Sequence, residues 1–214
     1  GLNFRWPHAV FFRAMMAHYS ATGDKKIIRA MRRHYLSLKP SAHADGRNAC
    51  NIEQILWLYG LTEDRRLLRH AVGAYGQYNK KSGKSDTSVK VMLSSKRPTE
   101  HGVTFNENGK IAAIMYMHMG KRKFLRAAEN SYRKIDKYAM LIDGVHSSSE
   151  RVSGKDPLDS HETCDITDYT WAVGYLLMVT GKVEYADKIE KACFNALPGA
   201  VRSDFKGLQY FSCP

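Results

Sequence analysis

The stretch His161-Glu162-Thr163-Cys164 sets a carboxylate and a thiol two positions apart. On an extended segment side chains alternate with period two, so Glu162 and Cys164 would project from one side and could reach one metal ion. On a helix each residue turns about 100°, and the same pair would diverge by about 200°. The backbone state therefore decides whether they chelate. Asp165 and Asp168, ahead of Tyr169-Thr170-Trp171, suit the positive amino-terminal end of a helix. That reading leaves Glu162 and Cys164 just outside the helix, at its mouth. They make half of a zinc site, since structural zinc takes four ligands, and His161 and Cys213 are further donors that could complete it.

Two long connections bring polar groups toward such a site. Residues 80–103 and 140–164 are rich in Ser, Gly, Asp and Lys, and connections beyond about 15 residues tend to be functional or disordered. The first delivers His101 to the start of an apolar helix. The second delivers Glu150 and then Glu162 and Cys164 to the start of another.

The elements that must hold these loops repeat along the chain. Thr22-Gly23-Asp24, Thr62-Glu63-Asp64, Met119-Gly120-Lys121 and Thr180-Gly181-Lys182 each separate an apolar stretch from a more charged one. Glycine suits the left-handed residue that ends a helix, and the polar residue after it begins the next. Position 63 departs from the rule by carrying Glu. The spacing predicts helices over 8–21, 48–60, 104–118 and 166–179 before the turns, and over 24–38, 64–79, 121–139 and 183–196 after them. Eight helices in four hairpins, with few strands, imply an all-α stacked or toroidal architecture, because one hairpin cannot bury its apolar face alone.

A chain of 214 residues with 43% apolar and 25% charged residues can bury a core of its own. No apolar run approaches the roughly 20 residues that span a bilayer, so no membrane partner is expected. The net charge of +12 would suit an anionic partner. Its lysines and arginines, however, are spread over helix starts and polar faces with no nucleic-acid motif, so no nucleic acid is expected. Cys50 and Cys193 read as buried free thiols in apolar helical surroundings. Trp6, Trp57 and Trp171 read as core rather than as sugar-stacking faces.

The run from Ser148 through Asp156, His161-Glu162-Thr163-Cys164, and the stretch from Tyr185-Ala186-Asp187-Lys188-Ile189-Glu190 to Phe194-Asn195-Ala196-Leu197-Pro198-Gly199 together resemble glycoside hydrolase family 127, the β-L-arabinofuranosidase-like proteins. The likeness is strongest over about residues 140–214. It implies an (α/α)6 barrel, here partial and filling residues 1–214, normally followed by β-sandwich domains. It also implies a zinc ion bound by one Glu and three Cys, one of which attacks the anomeric carbon. By motif position Glu162 and Cys164 look like two zinc ligands, and Glu150 resembles the acid/base. Glu190, Tyr210 and His101 look like substrate-binding residues. The family's other two zinc cysteines would lie beyond Pro214, and Cys50-Asn51-Ile52-Glu53 stands where sugar-hydrolysing relatives tend to carry a His before the Ile-Glu.

The expected function is retaining hydrolysis of a terminal, β-L-arabinofuranoside-like sugar from a plant or algal glycan, with an oligo- or polysaccharide as partner. Two alternatives stay open: a glycan-binding member without catalysis, and a lyase on the same toroid acting on acidic polysaccharides. Apolar flanks left uncovered would allow a homo-oligomer.

Overall fold

The computed structural model describes residues 4–214. It divides into two compact units, Gly1–Gly83 and Lys84–Pro214. The first holds α1 (Trp6–Thr22), α2 (Lys25–Leu36), α3 (Asn51–Thr62) and α4 (Arg65–Lys81), with two short 3-10 turns between α2 and α3. The second holds the short α5 (Val89–Met92), the hairpin of α6 (Gly102–Met119) and α7 (Arg122–Tyr138), and the hairpin of α8 (Thr163–Thr180) and α9 (Val183–Lys191), followed by α10 (Leu197–Ala200). The four expected hairpins are thus all present. No described helix is long and apolar enough to cross a membrane.

The turns close as their residues dictate. Gly23, Gly120 and Gly181 adopt φ of +69°, +67° and +66°, and each donates its N–H to the carbonyl four residues back. Asp24 and Asp64 then accept the amides of Lys26 and Arg66, capping α2 and α4. Glu63 takes the same left-handed conformation, φ +53°, with a side chain that crowds it.

In the second unit α6 buries an unbroken run from Val103 to Met115 apart from Thr104, whereas α7 buries only Phe124, Ala127, Ala128, Ser131, Tyr132, Lys134 and Ile135. This second pattern is the 3.6-residue stripe of a helix with one face in water. The core of this unit runs through Phe105, Ala112, Tyr132, Ile166, Tyr169, Val173 and Leu176.

Four details depart from the sequence expectations. A small sheet, ordered β2-β1-β3-β4, is woven from two-residue strands: β1 (Ser148–Ser149), β2 (Arg151–Val152), β3 (His161–Glu162) and β4 (Phe211–Ser212). The helix expected over 183–196 ends at Lys191 and passes through a π-turn, Ala192–Ala196. Pro198 has no N–H to give the carbonyl of Phe194, so the regular ladder cannot continue there. None of the three tryptophans is buried, Trp171 being 42% exposed. Cys50 is buried as expected, but Cys193 is only half-buried; both are free thiols.

Within the first unit, His43 is fully buried and neither ring nitrogen has a hydrogen-bond partner among the described residues. Burial, reinforced by His70, His34, Arg5 and His8, holds its pKa down at about 3. The unfolded chain takes up a proton near pH 6.5 that the folded chain refuses, so stability is complete above that pH and drains away as pH falls toward 3. The loss expected from this one group between pH 6.5 and 4 is on the order of 3 kcal/mol. Urea unfolding at the two pH values should show it, and His43→Phe should flatten the dependence. At the α3–α4 turn, Glu63→Gly should raise unfolding free energy by about 1 kcal/mol, read as a higher urea midpoint at unchanged slope.

Candidate functional site

Three segments of the second unit meet at one point. His101 is the N-cap of α6: its Nδ1 accepts the amide of Thr104 at 3.2 Å. That bond leaves the proton of a neutral ring on Nε2, which lies 3.2 Å from Oε2 of Glu150 and 3.8 Å from Oε2 of Glu162. One ligand-capable atom from each of His101, Glu150 and Glu162 lies within 4.8 Å of the others.

Local structure explains each placement. Glu150 sits at the tip where β1 turns back antiparallel into β2, in a left-handed conformation with φ +70°. Its carbonyl accepts the amide of Gly102, and Glu100 accepts that of Val152, which fastens the tip to the start of α6. The side chain of Glu150 is more than half exposed. Glu162 ends β3 and is the extended N-cap residue of α8. It is fully buried, and neither carboxylate oxygen meets hydrogen-bond geometry with another described residue. Tyr210 arrives beside it because β4 pairs antiparallel with β3 and the Tyr210 carbonyl accepts the amide of Thr163. The Glu162 carboxylate holds the Tyr210 phenol up at about 12.

The helix begins one residue earlier than the chelating pair requires. Thr163 is already helical, so Cys164 lies in the first turn of α8 and not on an extended segment with Glu162. Its thiol stays close enough to Glu162 to feel the charge: burial first, then Glu162, pushes it up to about 12. Cys164 is not one of the clustered ligand atoms. His161 points to the opposite side of β3, as strand alternation demands, and its Nε2 bonds Asp143 at 2.6 Å. Cys213 is exposed and also outside the cluster. Glu190 does not join either. It is exposed on α9, off the stripe that buries Tyr185. Of the residues singled out in the sequence, the structure therefore gathers His101, Glu150, Glu162 and Tyr210, with Cys164 at their edge.

Directly behind this cluster lies a knot of buried polar groups that the sequence reading did not single out. Asn106 donates one amide hydrogen to Oδ1 of Asp165 at 2.8 Å and the other to Nε2 of His146 at 2.9 Å. The Tyr132 hydroxyl donates to Oδ1 of Asn106 at 3.4 Å. Since Nε2 of His146 accepts, its proton sits on Nδ1, facing the Ser147 carbonyl at 3.3 Å. Burial lowers His146 to about 4 and raises the Asp165 carboxyl to about 8. The sequence signal was present: Asn106, Asn108 and Lys110 interrupt an otherwise apolar helix and are buried all the same.

A cleft of about 440 Å³ lies between α7 and α9, away from the cluster. Two ion pairs cross it, Lys182 with Glu129 at 2.6 Å and Lys188 with Asp136 at 2.5 Å.

A family model described as β-L-arabinofuranosidase, GH127 catalytic domain, matches residues 6–214. Among solved structures, a GH127 β-arabinofuranosidase superposes with a TM-score of 0.77 at 16% identity, over 97% of this chain and 35% of its own. A GH127 β-L-arabinofuranosidase from Geobacillus stearothermophilus T6 does so at 0.75 and 17%, over 96% and 38%. An α-1,6-mannanase of Salegentibacter sp. HEL1_6, in complex with α-1,6-mannotetrose, gives 0.66 and 16%, over 95% and 63%. The fold is therefore of the (α/α)6 glycosidase class. The chain spans little more than a third of the length of these two GH127 structures. No curated protein matches it.

The start of α6 tolerates no side chain. A Cβ on Gly102 would lie 2.1 Å from Oγ of Ser148 and 2.4 Å from Oδ2 of Asp165. Gly102→Ala should therefore cost about 2 kcal/mol or more in unfolding free energy, read by urea denaturation.

Proposed function

Because the chain belongs to the GH127 β-L-arabinofuranosidase catalytic-domain family, a family of glycoside hydrolases, we propose that its whole protein removes a terminal β-L-arabinofuranoside-like sugar from a plant or algal glycan. The observation that carries this reading is the meeting of Glu150, exposed, with Glu162, buried, across one imidazole. Two carboxylates in unlike surroundings can divide acid and base roles from anchoring roles.

Glu150 is the proposed acid/base. Its open side chain at the hairpin tip can meet a leaving-group oxygen, give it a proton, and later take one from water. His101 stands next to it: its Nε2 lies 3.2 Å from Glu150 Oε2, and the Thr104 amide fixes the ring. Tyr210 stands on the Glu162 side of the site as a hydroxyl for the sugar, and Glu190 is a further proposed sugar contact reached from α9.

The donor set fits a zinc ion. Glu162 is fully buried and neither carboxylate oxygen meets strict hydrogen-bond geometry, although the Tyr210 hydroxyl lies beside it; such a buried anion is costly unless a cation answers it. The Cys164 thiol lies beside it. His101 suits ligation less well, because its Nδ1 is spent accepting from Thr104. Glu162 and Cys164 are the residues that would hold the ion, together with the cysteine pair that the family resemblance puts beyond Pro214. Zinc when bound lowers thiol pKa values so that thiolates exist near neutrality. The retaining course, with a cysteine thiolate as nucleophile, belongs to the same proposal.

Three measurements test this. The whole protein should release L-arabinose from a β-L-arabinofuranoside, and Glu150→Gln should lower kcat by about 10²-fold or more with zinc content unchanged. Glu162→Gln should lose the metal, measured by elemental analysis after dialysis. The 214 residues alone supply two of the four ligands zinc prefers, so they should bind it weakly and turn over no glycoside. Stoichiometric zinc surviving dialysis of this chain would contradict the proposed ligand set, and no arabinose from the whole protein would contradict the substrate.

A further inference from the structure

The three segments that carry the cluster share one anchor. His101 precedes Gly102 at the start of α6, Glu150 lies two residues beyond Ser148, and Glu162 lies three residues before Asp165 on α8. Ser148, Asp165, Asn106 and His146 are all essentially unexposed. They close on the bare backbone of Gly102, where Ser148 Oγ and Asp165 Oδ2 both fall within the space a Cβ would need. Asn106 ties the arrangement together by giving one hydrogen to the α8 carboxylate and one to His146 in the loop that leads to Glu150.

Residues 140–162 contain no regular element beyond β1, β2 and β3, each two residues long and too short to hold itself. The hairpin tip is fixed by the Gly102–Glu150 and Glu100–Val152 backbone bonds on one side. On the other, Ser148 N bonds the Ser160 carbonyl, and His146 bonds Asn106. Glu162 ends β3, which pairs with β1 and β4, and is the N-cap residue of α8. The β1–β3 pairing at Ser148 and His161 links the two carboxylate-bearing strands directly, and behind it the Asp165–Asn106–His146 chain joins α8, α6 and the loop.

We propose that Asp165 and Asn106 are positioning residues that set the separation of the Glu150 and Glu162 carboxylates; this deepens the functional reading above and rests on it. Neither touches substrate. Each acts through the hydrogen-bonded chain, and a displacement of about 1 Å at reacting groups can cost about 10²-fold in rate.

The test compares Asp165→Ala with Asp165→Asn in the whole protein. Asparagine keeps an oxygen for the Asn106 amide and offers an N–H toward Ser148; alanine leaves both without a partner. Asp165→Ala should lower kcat on the arabinoside by about 10²-fold with KM within about threefold. Asp165→Asn should recover most of that loss. Crystal structures should show the Glu150–Glu162 separation changed by about 1 Å in Asp165→Ala and restored in Asp165→Asn. If Asp165→Ala does not fold, Asn106→Ser takes its place with the same expectations. The proposal is overturned if the alanine variant keeps kcat within about threefold and its carboxylates in place. It is equally overturned if Asp165→Asn is as impaired as Asp165→Ala, which would assign the charge at position 165 a direct part. Should the wild-type protein hydrolyse no arabinoside, the functional reading fails, and the two crystal structures still decide the positioning role.

Discussion

A buried carboxylate is the constraint around which the candidate site is arranged. Glu162 has no exposed surface; the Tyr210 hydroxyl beside it and the His101 ring at 3.8 Å are its polar neighbours, and burial of an ionised group costs several kcal/mol unless something compensates it. The backbone puts it there deliberately. It is held between β4 on one side and the first turn of α8 on the other, where helix amides add a favourable positive field. His101, at the head of α6, supplies the nearest ring nitrogen.

The scaffold does the rest by simple means. Left-handed caps and aspartate N-caps fold the chain into hairpins whose long loops deliver chemistry at helix starts. A helix start is a useful address for acidic and imidazole side chains, since its free amides orient them, as Thr104 orients His101. Behind those starts the polar knot replaces apolar packing with directional bonds. Directional bonds fix distance as well as contact, and acid–base chemistry depends on distance.

Much of this was legible in the sequence. The four hairpins follow from turn chemistry and apolar periodicity, and both survive in the structure within a few residues at each end. His101 and Glu162 do arrive at helix starts, whereas Glu150 stands on a β-hairpin tip fastened to the start of α6. The sheet was not legible, because two-residue strands are too short to show alternation. The π-turn was hidden by an amphipathic pattern that runs on up to Pro198. The backbone state at the pair was misjudged by a single residue: Thr163 opens the helix, so Cys164 lies in its first turn and not on an extended segment with Glu162. The Asn106–His146–Asp165 knot was missed because its members are far apart in the chain and ordinary in isolation. Only the fold makes them neighbours.

The hairpin tip has an evolutionary corollary. Glutamate at position 150 holds a φ of +70°, a posture that taxes any residue with a β-carbon by roughly 1–2 kcal/mol and that glycine adopts freely. Mutational drift filtered only for thermal robustness would carry that site toward glycine. A glutamate persisting there in descendants of this chain would mark lineages still selected for the carboxylate itself.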